Sequence, residues 1–171
     1  MYEKGDFVNY GTQGICQVED IRTIKPDRRS QAHDYYVLRP LHQDNASVFV
    51  PVDNQSLAAR MRPVLSPEEI EETIMSVKDQ ALLWVSDRKE RTALFQKILI
   101  RRDERELLLL GSCLYTKARE NPKGLSASDA QTLKKVESVI EQEFSFALQM
   151  HAQDVGAYIR KKLGLEEQCG A

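Results

Sequence analysis

The chain has 171 residues, 42% of them hydrophobic and 29% charged, with a net charge of −2 at pH 7 and a pI near 6.0. This composition excludes a disordered chain and suits one medium domain or two small ones. An acidic pI also argues against a purely electrostatic nucleic-acid binder, so any DNA role must rest on local charge.

Local charge is uneven. Residues 1–63 balance to zero, and residues 64–83 carry net −4 through Glu68, Glu69, Glu71, Glu72 and Asp79 against Lys78. Residues 84–102 carry net +4 through Arg88, Lys89, Arg91, Lys97, Arg101 and Arg102 against Asp87 and Glu90. A second basic stretch, 117–135, carries net +3. Such runs are either solvated helix faces or polyanion contacts. Cys16, Cys113 and Cys169 are far apart and form no disulfide framework, which fits a reducing cytoplasm. The start Met1-Tyr2-Glu3-Lys4 is no signal peptide, and apolar runs such as Leu107–Leu110 are far too short to span a membrane.

The first sixty residues read as β-structure. Strands are expected at Phe7–Tyr10, Ile15–Ile21, His33–Leu38 and Ser47–Val50, the last stopped by Pro51. Between them lie the glycine turn Gly11–Gly14, the polar loop Pro26–Ser30 and the turn Gln43-Asp44-Asn45. Short strands at this spacing predict a small barrel of SH3 or Tudor type.

From residue 66 the period becomes helical. Ser66-Pro67-Glu68-Glu69 combines a cap, a first-turn proline and a capping-box glutamate. Leu82-Leu83-Trp84-Val85 breaks the pattern and reads as a loop or junction. A second helix is expected from Asp87 to Leu99, with Leu94, Phe95, Ile98 and Leu99 inward. A third, capped by Asp103, runs through Leu107, Leu110 and Leu114. A fourth opens at Ser126 and follows Leu133, Val136, Ile140, Phe144 and Leu148. A fifth runs from Gln153 to Leu163 and ends at Gly164. The expected fold class is therefore α+β in two domains: a β-barrel over 1–63, a compact all-α bundle of four or five helices over 64–165, and a tail over 166–171.

No phosphate-binding glycine loop, zinc-ligand spacing or nucleophile motif is present. No cofactor or metal is expected, and an enzyme is not. The one conspicuous residue is Trp84, the only tryptophan in the chain. Flanked by Leu82, Leu83 and Val85, it suits a core or domain joint. The local pattern favours that burial, while the following Arg88, Lys89 and Arg91 leave open a wedge at a nucleic-acid groove.

Several segments, in order and at compatible spacing over residues 2–150, resemble the CarD family (CdnL-like) of bacterial RNA polymerase-binding transcription regulators. They are Gly5-Asp6-Phe7-Val8-Asn9-Tyr10, Gly14, Tyr35-Tyr36-Val37-Leu38-Arg39-Pro40, Val50-Pro51-Val52-Asp53-Asn54, Arg62-Pro63-Val64, Trp84 with its basic run, and Lys123-Gly124-Leu125-Ser126. The resemblance implies a Tudor-like module that adds a strand to the polymerase β subunit through Ser47, Val48, Phe49 and Val50, with Arg22 nearby. It implies a helical domain at the upstream edge of the transcription bubble. There Trp84 wedges the minor groove and Arg88, Lys89, Arg91, Lys97, Lys134 and Lys135 meet phosphates, without sequence specificity. A changed open-complex lifetime, a monomeric cytoplasmic protein and no membrane partner complete the expectation. The family pattern is interrupted by Asp87 within the basic run and by Ala130-Gln131 where a basic pair is usual. These departures motivate an alternative: an adaptor that docks on the polymerase without functional DNA contact.

Overall fold

The structure, a computed structural model, describes residues 1–165; the tail expected at 166–171 lies outside the described residues. The chain divides into two compact units, Met1–Val64 and the part from Leu65 onward.

The first unit is a Tudor-like antiparallel sheet of β1 (Phe7–Tyr10), β2 (Ile15–Ile24), β3 (His33–Pro40), β4 (Val48–Pro51) and β5 (Met61–Pro63). The strand order is β4-β3-β2-β1-β5, so β4 and β5 are its two ends. A single 3-10 turn, Gly11–Gln13, joins β1 to β2, and a short helix α1 (Gln55–Ala58) leads from β4 to β5. Gly14 takes φ 70° at the end of that turn, a conformation open to glycine at little cost. Val8, Cys16, Val18, Tyr36, Leu38, Val50 and Met61 form the buried cluster. They sit at alternate positions of their strands, as a sheet with one packed face requires.

Three details differ from the sequence expectation. Strand β2 runs to Ile24 rather than Ile21, because Val18 pairs with Leu38 and Asp20 with Val37, leaving Glu19 as a bulge that rephases the strand. Strand β4 begins at Val48, with Ser47 just before it, and Pro51 is its last residue. Met61-Arg62-Pro63, at the end of the expected barrel and outside its four expected strands, is β5, with Met61 opposite Tyr10, Arg62 opposite Asn9 and Pro63 opposite Val8. A three-residue strand containing proline has no local period. Its pairing with β1, about fifty residues earlier in the chain, is what makes it a strand.

The second unit contains α2 (Pro67–Val77), α3 (Arg88–Arg101), α4 (Glu104–Glu120), α5 (Ala127–Leu148) and α6 (Ala152–Leu163). Side chains cap the first four: Ser66 in a full capping box with Glu69, then Asp87, Asp103 and Ser126. Gly164 closes α6 at φ 71°. The core is built from Ile70, Ile74, Phe95, Ile98, Leu107, Leu110, Leu114, Val136, Ile140, Phe144 and Val155. Leu94, Leu99, Leu133 and Leu148 are packed against it and only partly buried.

Candidate functional site

Strand β4 has a neighbour on one side only. Its register with β3 sets Val48 opposite Leu38, Phe49 opposite Val37, Val50 opposite Tyr36 and Pro51 opposite Tyr35. Beyond the strand, Val52 N–H donates to the Asp34 carbonyl at 2.8 Å. Bonded pairs alternate along an antiparallel ladder, so Val50 and Val48 are bonded to β3 while Phe49 and Pro51 are not. The Phe49 N–H and C=O therefore face the open side of the sheet, while the Pro51 C=O accepts from the Asn54 N–H at 3.4 Å. Proline at this position costs no ladder bond.

Side chains follow the same alternation. Val50 is buried and Val48 half-buried, whereas Phe49 is 48% exposed. Phe49 shares a row with Val37 and Asp20, and the next row is Pro51, Tyr35 and Arg22. Arg22 is exposed and its Nε donates to Asp20 Oδ2 at 2.8 Å. That hydrogen bond holds the Asp20 carboxyl below its ordinary range. The strand thus presents an open backbone edge beside an exposed aromatic and a tethered guanidinium. Of the residues expected there, Phe49 and Arg22 face outward, and Val48 and Val50 fix the strand on its core.

In the helical unit, Trp84 lies on the irregular segment between α2 and α3. Gln80 closes α2 through N–H to the Val77 carbonyl at 3.0 Å, and its side-chain oxygen accepts from Arg105 Nη2 at 2.9 Å. Leu82 and Trp84 then pack on the helical core, while Leu83 between them is 85% exposed. The indole meets Phe95 edge-on, with centroids 6.4 Å apart and an interplanar angle of 60°. The Arg91 guanidinium lies over the same ring at 4.5 Å and the Lys117 ammonium at 5.6 Å. Both are cation–π contacts.

Arg91 corrects the sequence reading, which grouped it with Arg88 and Lys89 as a phosphate contact. It is buried. Nε and Nη2 donate to Asp129 Oδ1 and Oδ2 at 3.3 and 3.1 Å. Nη1 donates to the carbonyls of Val85 and Ser86 at 2.9 and 3.1 Å. Asp129 is itself positioned by Ser126, whose hydroxyl donates to Oδ2 at 2.7 Å and accepts from the Asp129 N–H at 3.2 Å. The planar fork of arginine suits this arrangement, and lysine would not reproduce it. The pair joins the first turns of α3 and α5 and grips the segment behind Trp84.

Arg88, Lys89, Lys97, Lys134 and Lys135 are all exposed. Arg88 and Lys89 stand together in the first turn of α3. Lys97 does not share the Arg88 face: nine residues at about 100° per residue put the two on opposite sides of α3. Lys134 and Lys135 lie on α5 beyond the turn that holds Asp129. Sequence reasoning missed Leu83, Lys117 and the Ser126–Asp129 seat. Only the last had a signal, the cap spacing Ser126-x-x-Asp129.

Among the described residues, no group of His, Cys, Asp and Glu is placed to hold a metal ion, and no helix is long and apolar enough to cross a membrane. Residues 2–65 match the family model of the CarD-like/TRCF RID domain. No curated protein matches the chain. That domain family interacts with RNA polymerase and is an interaction and regulatory family, not a known enzyme class. The open β4 edge, the sheet that carries it and this match coincide in one unit: residues 2–65 form a domain similar to the CarD-like/TRCF RID domain.

Proposed function

We propose that the protein is a non-enzymatic, cytoplasmic, monomeric transcription regulator that docks on the RNA polymerase β subunit and alters the lifetime of the promoter open complex. The observation that carries the docking half is the open edge of β4 in a unit matching the CarD-like/TRCF RID domain. Strand addition would satisfy the outward amide and carbonyl of Phe49, and side chains at alternate positions would select the partner. Phe49, Arg22 and the Ser47 approach to the strand are the residues assigned to that contact.

The DNA half rests on the segment around Trp84. Arg88 and Lys89 occupy the first turn of α3, where the helix dipole disfavours cations by a few tenths of a kcal/mol. Cations kept there do not serve the helix, which supports a role with phosphates. Placed at the upstream edge of the bubble, the Leu83-Trp84 segment would lie against bases already partly unstacked, and so slow or speed bubble closure. No base-reading helix is needed, and contact would be independent of sequence.

The adaptor reading, docking without functional DNA contact, is favoured by one observation: Arg91 is committed to Asp129, which removes it from the cations open to phosphate. One experiment separates the two. The full chain is added to preformed open complexes, and their decay is followed after a competitor is introduced. A lifetime that changes with wild-type protein, and not after Arg88 and Lys89 are neutralised, supports the DNA role. An unchanged lifetime despite binding to the polymerase supports the adaptor. Absence of binding to a β-subunit lobe removes both.

A further inference from the structure

We infer that the cavity between α4, α5 and α6 binds a small zwitterion with an apolar body, of the class of an apolar α-amino acid. The cavity lies wholly within the helical unit, and the inference is independent of the polymerase and DNA contacts proposed above. Its volume is about 200 Å³, above the ~150 Å³ that holds benzene in an apolar protein cavity. The floor is apolar, built from Leu108 of α4, Val136 and Ile140 of α5, and Val155 and Ile159 of α6. Charged groups of both signs line the same space: Glu137 and Glu141, one turn apart on α5, and Arg160 on α6 beside Tyr115 of α4. Glu137 is at the exposed rim, while Glu141 and Arg160 are half-buried.

These charges are held apart from one another. Among the described residues, neither carboxylate has a hydrogen-bond or ion-pair partner, and the Arg160 guanidinium has no acceptor. It lies over the Tyr115 ring at 5.2 Å and folds back along its own helix, where a Cβ at Gly156 would stand 3.1 Å from Nη1. Glycine inside a helix is destabilising; here it makes room for the guanidinium at the cavity. A Cβ at Gly111 would stand 3.3 Å from Val136 Cγ1, so α4 and α5 already touch at the floor and do not close the space by moving together. Partial burial and the Glu137 charge hold the Glu141 carboxyl in a state that a nearby ammonium would relieve. The lining names the ligand. A simple amine would leave the guanidinium without an acceptor, and a fatty acid would set a third carboxylate against two. A wholly apolar molecule would desolvate both signs of charge and repay neither. An ammonium for the glutamates, a carboxylate for Arg160 and an apolar side chain for the floor meet all three demands.

The test is titration calorimetry of the full chain with L-leucine and L-phenylalanine as probes, repeated with N-acetyl-L-leucine, which lacks the ammonium, and L-leucinamide, which lacks the carboxylate. At least one of the two amino acids is expected to bind saturably and to raise the melting temperature with its concentration. Each modified leucine is expected to bind about tenfold more weakly than L-leucine or worse, the scale of one charge-assisted hydrogen bond. Glu141→Gln and Arg160→Gln are expected to weaken binding by a similar factor, and Ser112→Phe, which fills the cavity from α4, to abolish it. Circular dichroism and Trp84 emission confirm that each variant keeps the helical unit. Absence of saturable binding by both amino acids would overturn the inference. L-Leucinamide or N-acetyl-L-leucine binding as tightly as L-leucine would overturn it too, because one of the charges would then go unread. Binding that survives Ser112→Phe in a folded protein would place the ligand elsewhere and overturn it as well.

Discussion

Arg91 and Asp129, 38 residues apart in the chain, form a two-point fork in which both side chains are more than nine-tenths buried. The Asp129 carboxylate sits on the first turn of α5 and accepts the Ser126 hydroxyl as well. The Arg91 guanidinium spans from that carboxylate to the carbonyls of Val85 and Ser86 and lies over Trp84. Breaking the pair from one side leaves a buried charge without its partner. Arg91→Ala and Asp129→Ala are each expected to destabilise the helical unit by about 3–5 kcal/mol. Urea unfolding followed by the emission of the single tryptophan reports this unit directly. Arg91→Lys is expected to recover less than half of the loss, since one ammonium cannot serve a carboxylate and two carbonyls in one plane. A hydrophobic double replacement of the pair is expected to recover more.

The same pair shows where reading the sequence succeeds and where it stops. Helix starts are local events: a Ser or Asp side chain bonds an amide three residues ahead, and Ser66, Asp87, Asp103 and Ser126 all do so. Helix faces follow a 3.6-residue period, so Leu107, Leu110 and Leu114 are legible as core. Arg91 obeys no such rule. Its neighbours Arg88 and Lys89 are exposed, and only a carboxylate from another helix turns it inward. Leu83 was hidden for the opposite reason: a leucine beside Leu82 and Trp84 is indistinguishable from core until the backbone direction is known. Strand β5 and the Glu19 bulge are likewise properties of pairing rather than of any short window.

Phe49 offers a direct test of the sheet edge. Its side chain is 48% exposed and its backbone faces away from β3, so Phe49→Glu should leave the fold intact. Affinity of the full chain for a β-subunit lobe is expected to fall by about tenfold or more, because an aromatic anchor is lost and a charge must be desolvated. Circular dichroism checks the fold and titration calorimetry the affinity. Val50→Glu, at a fully buried position, is expected to unfold the unit instead, so the two substitutions separate contact from core.

Glu141 on α5 gives a pH prediction. Partial burial, and then the nearby Glu137 carboxylate, push its pKa above the ordinary glutamate value. A carboxyl raised in the folded state binds its proton more tightly there than in the unfolded chain. Its contribution is therefore fully present below the unfolded value of 4.5 and is lost as pH rises through the folded value. Glu141→Gln, which stays neutral, is expected to raise the melting temperature slightly at pH 7. The gain should vanish near pH 4. Thermal melts of the two proteins across that range, taken at constant ionic strength, measure the difference.

Arg88 and Lys89 decide how much of any DNA affinity is electrostatic. Each phosphate neutralised by a side chain adds about 0.7–0.9 to the slope of log Kobs against log salt. With both residues changed to Gln, the slope measured on a forked duplex with the full chain should become shallower by about 1.5, and affinity should fall similarly for unrelated sequences. Lys97→Gln should change the slope less, because it projects from the other side of α3 from Arg88. The thiols give a control for integrity in the same samples. Burial pushes the Cys16 thiol up to about 11, so alkylation of Cys16 at pH 8 should be slow in any variant whose sheet is intact and fast once it unfolds. A shallower salt slope with Cys16 still protected, and with the Trp84 emission that reports the helical unit unchanged, assigns the loss to the two side chains themselves.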